Sequence, residues 1–217
     1  MSKKLNKTPQ QLKQDWEDAA NHKQYRNFVA QGFTKEKAFR EVGKKSTVHL
    51  LDTLKAHTIT LRGKRIVEIG CGVGRMTEFL AKETGFIYAT DISMNMLRRF
   101  RERLGDLPNV VLLCTPYIHM IPDNSIDAII SLFVFQHNPE DLVEKFFADR
   151  ARALKHGGYF VFQLSVVPEH QVVISKGMRA TDMVRWTQKE LEKIAKKYNY
   201  EPLTSYNQHF KIWRVHK

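Results

Sequence analysis

Nine consecutive residues, Val67-Glu68-Ile69-Gly70-Cys71-Gly72-Val73-Gly74-Arg75, set three glycines at alternate positions behind a carboxylate. A turn without side chains lets backbone approach a ligand closely. Where such a turn closes the first strand of an open parallel sheet, it stands at the end where ligands bind. The spacing argues against two phosphate-binding readings. A dinucleotide fingerprint counted from Gly70 and Gly72 needs its third glycine at the place of Arg75, and no Gly-Lys-Ser/Thr follows to cradle a phosphate. Asp91 closes the next strand-like run, where a carboxylate can accept two hydrogen bonds from a vicinal diol or cap the helix that follows. Gln136 and His137 follow a later apolar run. His137 titrates near neutral pH and is a candidate to take a proton from a hydroxyl or amine, with a structural hydrogen bond as its alternative role.

The elements that would position these residues alternate. Thr8-Pro9-Gln10-Gln11 opens a helix with a capping box, running toward Ala30. Further helices are expected at about 34–42 and 46–56, with Gly32 and Gly43 as breaks. From Lys64 the pattern becomes strand, glycine turn, helix: a strand over 65–69, a helix over 75–83, a strand over 86–90 and a helix over 93–104 ending at Gly105. Strands at 110–114, 126–131 and 158–166 follow, with a helix from Asn138-Pro139 to Leu154. Thr187 and Glu190 form a second capping box, starting a helix to about Asn199. Runs at 203–206 and 210–215 read as a closing hairpin. Such alternation predicts a parallel sheet flanked by helices.

The run from Val67 to Arg75 resembles the first motif of the class I S-adenosylmethionine-dependent methyltransferases of the small single-domain type, and the similarity extends to the carboxyl terminus. Pro122 to Asp127 before one strand and Leu154 to Tyr159 before another are similar to later landmarks of that family. The resemblance implies an α/β, doubly wound, mostly parallel seven-stranded sheet with a C-terminal antiparallel hairpin and an N-terminal helical cap. Residues 1–62 would be the arm, and 63–217 the S-adenosylmethionine-binding Rossmann-like domain. It places Glu68 at the methionine end of the cofactor, the backbone of Gly70, Cys71, Gly72, Gly74 and Arg75 against it, and Asp91 on the ribose hydroxyls. Ile92, Met96, Thr115, Pro116, Tyr117 and Leu132 complete the expected cofactor set. One departure is that many relatives place Asp after the third strand for the adenine amino group, where this chain has Thr115 and Pro116. Methyl transfer from a sulfonium is an in-line displacement that needs alignment and a dry site, and a base only for a poor nucleophile. The acceptor would meet Trp16, Tyr25 and Phe28 of the arm, Gln136, and Arg179 and Arg185 of the segment 167–186, with His170 nearby. The arm aromatics have a packing role as their alternative, since Leu12, Trp16, Ala19 and Ala20 share a helix face.

The chain has 217 residues, a formal net charge of +12 and 42% hydrophobic residues, enough for a core of normal size. The charge is +7 over residues 1–62, zero over 63–131 and +5 over 132–217. A neutral centre with basic flanks fits an anionic acceptor, and solvated lysine-rich faces give the same pattern. The basic balance also raises an RNA- or DNA-directed methyltransferase as an alternative. Against it stand the lack of an Asp/Asn-Pro-Pro-Tyr/Phe or Pro-Cys motif and of a recognisable RNA-binding module. A third alternative is a non-catalytic cofactor-binding protein of the same fold. Two cysteines, Cys71 and Cys114, argue against a disulfide scaffold and for reduced cytoplasmic thiols. No secretory h-region follows the first residues, the apolar run 128–135 is too short to span a bilayer, and no metal-ligand spacing stands out.

Overall fold

The computed structural model describes residues 5–115, 118–175, 179–206 and 208–217. The chain divides into two compact units, one of residues 13–116 and one of residues 1–12 with 117–217. In chain order the elements are α1 (Pro9–Asn21), α2 (Tyr25–Val29), α3 (Glu36–Ala56), β1 (Arg65–Ile69), α4 (Thr77–Glu83), β2 (Phe86–Asp91), α5 (Met94–Leu104) and β3 (Val110–Cys114). They continue with β4 (Ile126–Ser131), α6 (Glu140–Ala153), β5 (Leu154–Phe162), β6 (Gln171–Val173), β7 (Met183–Arg185), α7 (Gln188–Lys197), β8 (Tyr200–Pro202) and β9 (Lys211–Val215). Seven strands form one sheet in the order β3-β2-β1-β4-β5-β9-β8, which is the expected mostly parallel sheet with an antiparallel end.

In the unit of residues 13–116, β1, β2 and β3 pair in parallel, with Glu68 opposite Ala89, Ile69 opposite Thr90 and Asp91 opposite Cys114. Their alternate residues Ile66, Ile87 and Ala89 are fully buried, as expected for strands of a parallel sheet. The register brings the glycine turn, Asp91 and Cys114 to one end of the three strands. Gly43 is no break: α3 runs through it without interruption. A Cβ there would stand 2.3 Å from the Arg75 carbonyl oxygen, so this glycine serves close backbone packing rather than termination. The first helix does stop early, at Asn21, where His22 Nδ1 accepts the Gln24 N–H at 3.1 Å and turns the chain before α2.

In the other unit β4 and β5 are parallel, while β5–β9 and β8–β9 are antiparallel. Phe135, Phe147, Phe160, Phe162 and Trp213 make its aromatic core, with ring centroids 4.8–6.3 Å apart. The strand expected from Gly158 begins at Leu154 instead, through a register shift between Ile126 and Ala128 near Gly157, whose φ is 72°. The closing hairpin is also shifted, because Leu203 N–H pairs with the Ile212 carbonyl only after β8 has ended. Part of the expected loop 167–186 is a β6–β7 ribbon, which short strands without alternation do not announce. Both capping boxes form: Thr8 with Gln11, and Thr187 with Glu190. Among the described residues, no helix is long and apolar enough to cross a membrane, and no group of three or more His, Cys, Asp or Glu side chains is arranged to hold a metal ion.

Candidate functional site

The glycine turn is built by backbone. Gly70 and Cys71 N–H both donate to the Thr90 carbonyl, at 2.8 and 3.0 Å, and Gly74 N–H returns to the Cys71 carbonyl at 2.9 Å. Gly70, Gly72 and Gly74 have φ of 70°, 53° and 77°, the left-handed region that side chains disfavour. At Gly74 packing adds a second demand, because a Cβ would sit 2.6 Å from Leu104 Cδ1 and Phe100 Cε2. Gly72 is buried, and among the described residues such a Cβ there would meet nothing closer than the Val29 methyls at 3.8 Å, so the turn leaves room beside this backbone.

Asp91 ties that surface to the second strand. Its Oδ2 accepts Gly72 N–H and its Oδ1 accepts Ser93 N–H, both at 2.9 Å, so it anchors the turn and the start of α5 together. Burial pushes its carboxyl up to about 6. Glu68 accepts the Thr77 hydroxyl at 2.7 Å and is pushed by burial to about 7, against the opposing pull of that bond and of Arg75. Arg75 is itself buried and donates to Ser46 Oγ at 3.2 Å. Burial drives the Cys71 thiol well above its ordinary range, which makes it an inert wall. Ile92 accepts Cys114 Sγ at 3.7 Å, Met96 is buried on α5 behind the Ser93 cap, and Thr115 follows β3 with its N–H on the Leu113 carbonyl. Pro116 and Tyr117 lie outside the described residues.

Three residues that motif reading passes over hold this site. Arg103, almost wholly buried, donates from Nη1 to the Val73 and Gly74 carbonyls at 3.2 and 3.1 Å, while Glu78 and Glu36 neutralise it at 2.7 Å each. Gly43 admits α3 against the turn, as above. Glu17 of α1 takes the amino end of α5: its carboxylate accepts Met94 N–H, Asn95 N–H and the Ser93 hydroxyl at 2.8–2.9 Å. No local pattern marks Glu17, because its partners are more than seventy residues away in sequence. A carboxylate at a helix amino terminus contributes about 1 kcal/mol. Glu17→Ala should therefore lower thermal unfolding by about 3 °C, and Glu17→Gln by less, read by calorimetric scans. Beside it Trp16 is half-buried. Tyr25 is buried with the guanidinium carbons of Arg26 and Arg99 at 4.7 and 4.9 Å from its ring centre, and Phe28 meets His22 edge-on.

The other unit carries the remaining candidates. His137 and Gln136 are buried in a short 3-10 turn after β4, and Leu132, just beyond that strand, is half-buried. His137 Nδ1 lies 2.9 Å from the Asp182 carbonyl oxygen, which can only accept; the proton is therefore on Nδ1, and Nε2 faces the Gln136 amide nitrogen at 3.2 Å. Burial lowers its pKa, helped by the nearby Lys7 charge, so the ring is neutral. Asp182 pairs through its carboxylate with Lys7 at 3.0 Å, both side chains nearly inaccessible, and accepts Ser175 N–H at 2.8 Å. Arg179 opens the 3-10 turn Arg179–Thr181. Arg185 reaches Gln171 at 3.4 Å on the β6–β7 ribbon, and His170 sits between Glu140 and Glu190 at 2.9 and 3.0 Å.

Residues 67–162 match the family model described as a methyltransferase domain. That stretch, from β1 to β5, is a methyltransferase domain by this match, and the chain is similar in fold to S-adenosylmethionine-dependent methyltransferases of known structure. A wheat (Triticum aestivum) phosphoethanolamine N-methyltransferase is 26% identical over 75% of this chain, and a trans-aconitate 2-methyltransferase of Afipia carboxidovorans is 33% identical over 51%. The chain covers 31% and 42% of the lengths of these two relatives. Among solved structures, Burkholderia thailandensis 1,6-didemethyltoxoflavin-N1-methyltransferase, with bound S-adenosylhomocysteine, shares the fold. It has a TM-score of 0.67 at 13% identity, over 98% of this chain and 92% of that one.

Proposed function

We propose that this chain is an enzyme that transfers a methyl group from S-adenosylmethionine to a small acceptor bearing an anionic group. The observation that carries the reading is the pairing of Asp91 with the side-chain-free backbone of Gly72 at the ends of β1 and β2. A carboxylate has about four lone-pair sites. Two on Asp91 are used by Gly72 and Ser93, which leaves capacity for the two hydroxyls of a ribose, while the side-chain-free turn admits the nucleoside beside it. Glu68 and Thr77 stand behind the turn to order the amino-acid end. When bound, the cofactor supplies an electrophilic methyl group on a sulfonium. The chain's part is to align the acceptor for in-line attack, exclude water and, where the acceptor needs it, remove a proton. Two names support an anionic acceptor, because a wheat relative acts on a phosphate ester and the Afipia relative on a polycarboxylate. Basic residues of the flanks agree with this.

Calorimetry with S-adenosylhomocysteine tests the cofactor half; no binding to the full chain would overturn it. Turnover with phosphoethanolamine and trans-aconitate as probes tests the acceptor half, and methylation confined to tRNA or rRNA would redirect it to nucleic acid. For proton removal we assign His137, whose Nδ1–H is held by Asp182 so that Nε2 keeps the lone pair. His137→Ala should slow turnover about 100-fold, the low end for a general base. An unchanged kcat with the true acceptor would remove His137 from the mechanism.

A further inference from the structure

Lys211, at the start of β9, is 3% exposed, and its Nζ donates to the carbonyls of Leu164 and Gln208 at 2.7 Å each. Among the described residues no carboxylate lies within ion-pair distance of it, although Lys7, equally buried, is given one in Asp182. Two neutral carbonyls account for two of the three protons of an ammonium and for none of its charge. A charge taken out of water without a counter-charge is unfavourable, and burial accordingly brings this amine down to about 8. Neutral side chains such as Asn or Gln would bridge two carbonyls without that cost, so the hydrogen bonds alone do not account for a lysine here.

Two more buried polar atoms lie at the same strand ends. Lys211 is the register partner of Phe162, and Phe162 that of Ser131. Ser131 Oγ and Gln163 Oε1 are inaccessible and have no hydrogen-bond partner among the described residues. Gln163 follows Phe162, with its N–H on the Ser131 carbonyl at 3.1 Å. Two residues past Ser131, Phe133 has a φ of 61°, a strained conformation for an aromatic residue, and its ring lies 6.0 Å from that of His209, next to the Gln208 that holds Lys211. An unneutralised buried cation, a hydroxyl able to donate and strained backbone thus converge at the carboxyl ends of β4 and β5.

We propose that Lys211 and Ser131 form an anion subsite that takes a phosphate or carboxylate group of the acceptor. This rests on the reading of the chain as a methyltransferase of anionic small molecules. The anion supplies the missing counter-charge for Lys211 and a partner for the Ser131 hydroxyl, and the two residues share one face of the sheet as register partners of Phe162.

The test titrates sulfate and, separately, trans-aconitate into the full chain saturated with S-adenosylhomocysteine, by calorimetry. Lys211→Met should weaken both at least 50-fold, Lys211→Arg should restore them to within fivefold of the parent, and Ser131→Ala should weaken them severalfold without lowering the unfolding temperature. S-adenosylhomocysteine affinity should be the same in all. Parent protein that binds neither anion, or Lys211→Met that binds both as the parent does, overturns the subsite. If Lys211→Met does not fold, unchanged anion binding in Ser131→Ala overturns it instead. Absence of S-adenosylhomocysteine binding by the parent sinks the methyltransferase reading, and that outcome is separate because the anion titrations are repeated on the chain without S-adenosylhomocysteine.

Discussion

Replacing Asp91 by alanine should weaken S-adenosylhomocysteine binding about a thousandfold in calorimetric titrations. Hydrogen bonds to a charged group contribute about 1.5–3 kcal/mol each when one partner is removed. Two such bonds to a ribose diol amount to about 4 kcal/mol, or about three powers of ten. The same substitution removes the acceptor of Gly72 N–H and Ser93 N–H, so it frees the turn from β2 as well. Asp91→Asn retains one acceptor oxygen and should fall between alanine and the parent. An affinity within tenfold of the parent for Asp91→Ala would mean that the nucleoside is held elsewhere.

Acid should act on this site in two opposite directions. With Asp91 near 6, its ionised form is lost below that pH, and cofactor affinity should fall by up to tenfold per pH unit. The ligand-free protein should respond in reverse. Asp91 and Glu68 both titrate higher in the native state than their ordinary 3.8 and 4.5, so between about pH 4 and 7 the native state binds more protons than the unfolded chain through these groups. Their contribution to stability accordingly rises as pH falls through that window. The buried ionised carboxylates are an unfavourable charge in the ligand-free fold.

Gly74→Ala should cost about 4 kcal/mol of stability. A φ of 77° costs a non-glycine residue about 1–2 kcal/mol, and forcing a methyl group to 2.6 Å from Leu104 and Phe100 adds about 1–3. For a chain of this size that is a fall of roughly 10 °C in unfolding temperature. Gly105→Ala separates the two causes, because its φ of 66° carries the same backbone penalty with nothing within 4 Å of the added carbon. It should cost about 1 kcal/mol. Equal losses in the two variants would show that packing against α5 contributes nothing.

What was legible in the sequence was what is encoded locally. The β-branched run of β1, the alternate glycines, the Ser93 cap and the Thr187–Glu190 box all act within a few residues, and each element appears where those signals place it. Gly72 and Asp91 could be brought together on paper because they end neighbouring parallel strands. Contacts between distant segments left no such trace. Gly43 has the composition of a helix break and becomes a helix interior only because Arg75, in a different element, needs its carbonyl there. Arg103 looks like any charged residue of α5, yet it clamps two carbonyls of the turn. Lys211 opens an ordinary short strand, and its burial without a carboxylate emerges only when Leu164 and Gln208 come to meet it.

Glu17 has a further bearing on what the proposed nucleoside site would admit. Helix amino termini commonly receive phosphates, and here the amino end of α5, the helix after β2, is already filled by a carboxylate of the chain itself. A dinucleotide or nucleoside triphosphate would bring its negative groups toward Glu17 and Asp91 with no vacant N–H donors of that helix to receive them. A nucleoside that carries a positive sulfur in place of phosphate meets attraction in the same surroundings. Under the function proposed above, a residue of the arm would therefore bias the site toward a positively charged adenosine compound through charge sign rather than through shape.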